Sequence, residues 1–253
     1  MPKKWIGDAS SFGRVTELYC RFSMKCLESE APQFRSASEA AILIEFGAGQ
    51  QADIKAETIQ RVHRLVALLD ISSLEGIEEL TPAYSSILIE FDPLRLSAAQ
   101  VEDHARFCLE QIGQIELPTP QQLEVPVFYG GEYGPDLPFC ADRLGLSVSQ
   151  FVEAHCEQSY SVAFFGFLPG FAYLYGWPTK YSLPRLDAPR PKIPAGSVAI
   201  AGAQCGIYPS ESPGGWRILG RTPVKVIDIS RSNFSLFSIG AQVRFYPSNP
   251  AAW

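Results

Sequence analysis

The chain has 253 residues, 46% of them apolar and 19% charged, with a formal net charge of −6. That is long enough for two domains with cores of their own. The acidic balance argues against nucleic acid as a main partner, because phosphate binding needs a basic surface. The six cysteines, at 20, 26, 108, 140, 156 and 205, contain no C-x-x-C pair. They read as reduced thiols, not as a zinc ribbon or redox pair. No signal-peptide core opens the chain, and no apolar run reaches the roughly 18–20 residues of a membrane span. The expectation is a cytoplasmic protein with no membrane partner.

Residues 1–36 show little periodicity and read as an N-terminal extension. From 37 the pattern sharpens. "AAILIEF" (40–46) has strand length, and 54–69 places Ile54, Thr58, Val62, Leu65, Val66 and Leu69 on one helical face, with Asp53 as its N-cap. Strands are expected at 77–81 and 86–91, then a helix over 98–112 with Val101, Ala105, Cys108 and Ile112 inward. Ser97 and Gln100 have capping-box spacing at its start. "QIEL" (114–117) reads as one more strand. The order β-α-β-β-α-β is the split arrangement of a ferredoxin-like α+β domain, residues 37–118.

"PTPQQ" (118–122) reads as a hinge. Beyond it, strands are expected at 123–131, 159–167, 197–202, 224–229, 234–239 and 242–247, with a short helix near 147–156. Many short strands between Gly/Pro turns predict a β-sandwich or barrel over 123–250.

Charge is unevenly spread. Residues 158–225 carry Lys180, Arg185, Arg190, Lys192, Arg217, Arg221 and Lys225 against only Asp187 and Glu211. A cationic region inside an acidic chain points to a small anionic ligand, and arginine's planar fork suits carboxylate or phosphate. Proline stiffens "LPRLDAPRPKIPAG" (183–196) into an extended strap that presents Arg190 and Lys192. "GIYPSESPGGWRILGRTP" (206–223) holds Tyr208, Trp216, Arg217 and Arg221 among glycines and prolines. Gly214 and Gly215 are read there as opening the backbone to a ligand. His155 closes the short helix before an aromatic segment, as a base or a partner for a ligand carboxylate. Glu132 and Asp136 are a weak acid–base or magnesium pair. The sequence contains no Walker phosphate loop, GxSxG elbow or HExxH helix.

"YGGEYGPDL" (129–137), "FGFLPGFAYL" (165–174), "PRPKIPAGSVAIAGAQCGIYP" (189–209) and "SPGGWRILGRTP" (212–223) resemble the KipI / 5-oxoprolinase B-subunit family, also called allophanate hydrolase subunit 1. "GIEELTPAYSSILIEFDP" (76–93) resembles its N-terminal domain. This chain has Ala37-Ser38-Glu39-Ala40 where members often carry Gly-Asp-x-Ala. The resemblance implies a ferredoxin-like domain followed by a cyclophilin-like β-barrel. It also implies ATP-dependent conversion of 5-oxoproline (pyroglutamate) to glutamate, shared with KipA-like (C) and LamB/YcsF-like (A) subunits. ATP and Mg2+ would be used at the level of the complex. Some members inhibit a sporulation histidine kinase, which is the alternative partner, and related domains occur in urea carboxylase. On this reading His155, Arg190 and Lys192 are the catalytic candidates. Gln204, Tyr208, Gly214, Gly215, Trp216, Arg217 and Arg221 are the substrate-binding ones. No metal ligand is expected.

Overall fold

In a computed structural model the described residues are 31–47, 55–230 and 234–252. They form an α+β domain and a closed β-barrel joined by a strand-free linker. The first domain opens with an antiparallel hairpin, β1 (Gln33–Ser38) and β2 (Ala41–Glu45). The first strand therefore starts inside the stretch expected to be an extension; residues 1–30 lie outside the described residues. Helix α1 (Ala56–Ser72) buries Ile59, Val62, His63, Leu65 and Leu69 along one stripe. Its N-cap is Lys55, without a side-chain cap, and the expected Asp53 lies outside the described residues. β3 (Ile77–Pro82), β4 (Ser86–Phe91) and α2 (Ala98–Glu110) follow. Ser97 and Gln100 close the capping box that their spacing predicts.

The sheet runs in the order β1-β2-β4-β3. Alternate residues Ile42 and Ile44 of β2, and Ile87, Ile89 and Phe91 of β4, pack against Val62, Leu65 and Leu69 of α1 and Val101, Ala105 and Cys108 of α2. The run β2-α1-β3-β4-α2 is the split motif without its last strand. Residues 114–117 do not supply that strand. The edge position beside β2 is taken by β1, whose two-residue connection needs far less loop closure than a return from α2.

The barrel domain comprises β5 (Gln122–Tyr129), α3 (Leu137–Arg143), α4 (Val148–Glu157), β6 (Tyr160–Phe165), β7 (Ala172–Tyr175), β8 (Arg190–Ile193), β9 (Ser197–Ala201), β10 (Gln204–Ile207), β11 (Ser212–Gly214), β12 (Arg217–Arg221) and β13 (Gln242–Pro247). Seven strands close in the order β10-β7-β6-β13-β5-β12-β9, and β8 pairs separately with β11. β13 runs parallel to β5; the other barrel neighbours are antiparallel. Val125, Val127, Val162, Leu174, Val198, Ile200, Leu219 and Val243 fill the interior. The stretches 224–229 and 234–239 are not strands. They touch through one bridge, Ile227 to Ser235, because only Val226 and Phe237 turn into the core while Ile229 and Phe234 stay exposed.

The two domains meet at an aromatic joint. Ile59 and Tyr84 pack on Ala163, Phe164 and Tyr173 of the barrel. His63 Nε2 donates to the Ala163 carbonyl at 2.7 Å, which places its proton on that nitrogen because a carbonyl only accepts. Among the described residues no helix is long and apolar enough to cross a membrane.

Candidate functional site

The proline-rich strap is held to the barrel by its backbone. Leu183 exchanges two hydrogen bonds with Gly202, at 2.7 and 3.2 Å, and Leu186 N–H donates to the Gly215 carbonyl at 2.8 Å. Arg217 Nε donates to the Pro184 carbonyl at 3.2 Å, and Ser212 and Gly214 of β11 stand opposite Ile193 and Arg190 of β8. Beneath the strap lies a second apolar cluster of Phe171, Ile193, Ala199, Ala201, Tyr208, Trp216 and Ile218. Tyr208 and Trp216 are thus mostly buried under the strap. Gly214 is not in the left-handed region. A Cβ there would stand 2.4 Å from the Tyr208 hydroxyl oxygen and 2.8 Å from Ile193 Cδ1. The space expected for a ligand is occupied by the tyrosine.

Most of the expected cations are committed to the protein itself. Arg190 forms a two-pronged pair with Asp136, both bonds 2.8 Å. Asp136 is 6% exposed and also accepts the Ile218 backbone N–H at 2.7 Å. The hydrogen bond to Asp136 raises the Arg190 pKa further. Arg190 is therefore a pin between strap and barrel, not the expected anion clamp. Lys192 is exposed and pairs with Glu211 at 3.0 Å. Arg217 lies 4.0 Å over the Phe139 ring and Arg221 5.5 Å over that of Tyr133. Gln204 sits apart from them, beside the buried Tyr84 hydroxyl at the domain joint.

The sequence matches the family described as carboxyltransferase domain, subdomain C and D, over residues 32–237. It is 33% identical over 223 residues to the 5-oxoprolinase B subunit of Bacillus subtilis (strain 168), covering 84% of this chain and 91% of that one. It is 36% identical over 210 residues to the 5-oxoprolinase B subunit of Escherichia coli O157:H7, covering 83% and 93%. The chain belongs to the 5-oxoprolinase B-subunit family. The crystal structure of TTHA0988 superposes with a TM-score of 0.71 at 36% identity, over 83% of this chain but only 40% of that one.

In this member of the family one strap cation stands apart from such partnerships. Arg185 is exposed, yet its backbone is held on both sides through Pro184 and Leu186. Its positive charge acts on the phenols of Tyr173 and Tyr208. Burial pushes the Tyr208 phenol up to about 12, while the Trp216 backbone N–H and Arg185 pull the other way. Tyr173 is likewise raised by burial and opposed by Arg185. A continuous aromatic ladder runs from the domain joint to the strap. Tyr84 meets Phe164 edge-on at 4.8 Å, Phe164 stacks on Tyr173 at 4.4 Å, and Tyr173 meets Phe171 and Trp216 at 5.1 and 5.7 Å. Phe167 roofs the end of the ladder near Phe171 and Tyr208. It is 58% exposed and held at φ 67, a conformation that a bulky side chain adopts only under constraint. Pro184 gave Arg185 the same stiffening signal as Arg190, but nothing in the sequence says which strap cation finds an internal carboxylate.

His155, expected among the catalytic groups, is fully buried in the barrel core. It stacks on Phe245 at 4.9 Å, with Tyr129 Oη 2.8 Å from Nδ1 and Cys205 Sγ 3.6 Å from Nε2. Burial pushes its pKa from 6.5 down to about 3. Unfolding then takes up a proton, so its contribution to stability is intact above about 6.5 and is lost as the pH falls towards 3. The slope in that window approaches ~1.4 kcal/mol per pH unit. Urea unfolding at stepped pH is expected to show a shallower acid decline for His155→Phe than for the parent chain. Equal slopes would remove His155 as the cause.

Proposed function

We propose that this chain is the B component of an ATP-dependent 5-oxoprolinase and works with LamB/YcsF-type (A) and KipA-like (C) subunits. The observation that carries this reading is identity above 30%, across more than four-fifths of both chains, to two 5-oxoprolinase B subunits. TTHA0988 supports the need for partners. There the region similar to this chain is 40% of one longer polypeptide, so the unit is joined to further protein.

5-Oxoproline is a small flat ring with one carboxylate and an unactivated lactam. In this reading Arg185 takes the carboxylate in its fork, and the partly exposed Tyr173 and the exposed Phe167 flank the ring. ATP supplies activation of the lactam carbonyl at the level of the complex. The Glu132 and Asp136 pair does not fit Mg2+, because both Asp136 oxygens are taken by Arg190 and the Ile218 N–H. No nucleotide step is therefore assigned to this chain.

The test is reconstitution. Purified A, B and C subunits are combined, and glutamate formation coupled to ATP hydrolysis is followed, with each omitted in turn. The full set is expected to couple the two reactions, and omission of this chain to abolish coupling. Undiminished coupling without it would overturn the proposal.

A further inference from the structure

A cleft of about 1090 Å³ separates the two domains on the side of β3. Four consecutive β3 residues, Ile77, Glu78, Glu79 and Leu80, line it. The register with β4 shifts between Ile77 and Glu79, leaving Glu78 without a partner residue on β4, and the cavity follows the strand past this bulge. β3 is an edge strand of its sheet. Among the described residues, 78–81 make no backbone hydrogen bond outside the ladder with β4. The facing wall includes Pro118 and Pro120 of the linker, which lack the N–H needed to pair with that edge.

The cleft's chemistry is two-sided. Leu74, Leu117 and Ile239 give it apolar surface, while Asp70, Glu78, Glu79 and Glu116 bring four carboxylates. Among the described residues Arg64 is the only Lys or Arg in the lining, and its Nε is buried without a hydrogen-bond partner there. An open strand edge recognises extended backbone, and an acidic, partly apolar groove selects basic residues alternating with apolar ones. A second copy of this chain would set its own Glu78 and Glu79 against the same pair, an arrangement that discourages edge-to-edge pairing.

We infer that the cleft is a docking groove for an extended basic segment of a partner polypeptide, which adds as a strand to the free edge of β3. This inference does not depend on the reaction assigned above and is tested on the chain alone.

The probe is a fluorescein-labelled, alternating Lys-Val hexapeptide at low salt, read by fluorescence anisotropy and amide hydrogen exchange. A Glu-Val hexapeptide and a Lys-Val peptide N-methylated on its pairing amides are the controls. Saturable binding is expected for the first peptide alone, with slowed exchange confined to the β3 edge. The Glu78→Lys/Glu79→Lys chain should bind about tenfold more weakly. The milder Glu78→Gln/Glu79→Gln chain should fall between, and both variants should keep the parent's melting temperature because both positions are exposed. No saturable binding would overturn the inference. Equal binding of the N-methylated peptide, or protection elsewhere in the chain, would also overturn it. So would slowed β3 exchange that appears on concentrating the protein without peptide, which would assign the edge to a second copy.

Discussion

In the reconstituted complex, Arg185→Ala is expected to lower kcat/KM for 5-oxoproline by roughly 100-fold, mainly through KM. A charged fork on a carboxylate contributes about 3 kcal/mol, and it acts on substrate and transition state alike because the carboxylate is remote from the lactam bond. Arg185→Lys keeps the charge but loses the two-pronged geometry, so it should recover only part of the loss. Arg185 is exposed, so its loss should move the melting temperature little. Lys192→Ala is the matched control, since that side chain is 74% exposed and already paired with Glu211. Steady-state kinetics of the three variants decide the matter. An Arg185→Ala complex with unchanged KM and kcat would exclude the strap as the carboxylate site.

The second large effect concerns stability. Asp136→Ala removes the group on which Arg190 and the Ile218 N–H both converge. It leaves a buried N–H and a partly buried guanidinium unpaired, and breaking such a pair from one side costs about 3 kcal/mol. For a chain of this length that is a fall of roughly 6–10 °C in melting temperature. Arg190→Ala should act similarly by leaving Asp136 buried and charged. The double change Asp136→Leu/Arg190→Met should restore much of the loss, because a buried ion pair replaced from both sides is often neutral. Calorimetry of the three variants tests this. Additive losses in the double variant would show that the two residues do not act as a pair.

Local signals were legible where a short segment decides its own structure. The Ser97-x-x-Gln100 box marks the start of α2 because the hydroxyl and amide need only each other's backbone. The 3.6-residue apolar spacing locates α1 and α2 because one stripe must face the sheet. The strands of the barrel's central run were equally plain from "LEVPVFY", "SVAIA" and "QVRFYP". Three features misled. The segment "QIEL" has strand composition, but the edge beside β2 that the split motif would give it is taken by β1. The stretches at 224–229 and 234–239 have strand residues without the partners to make a ladder. His155 has catalytic chemistry in a setting that keeps it neutral and dry.

By itself, the sequence determined the two-part organisation, the α+β and barrel classes, and the cationic, proline-stiffened strap, because periodicity, capping and φ restriction act over a few neighbours. Its ordered motif blocks also carried the family. Only the tertiary structure decided which exposed strap cation is left without a carboxylate partner among the described residues. Arg190 is claimed by Asp136, which lies 54 positions away in the sequence, while Arg185 stays at the surface. It alone placed Tyr208 and Trp216 under the strap and left β3 open along the cleft. The reason is the same in each case. Whether a polar group is free or taken depends on what barrel closure and strand pairing bring against it, and those contacts join residues that no local pattern relates.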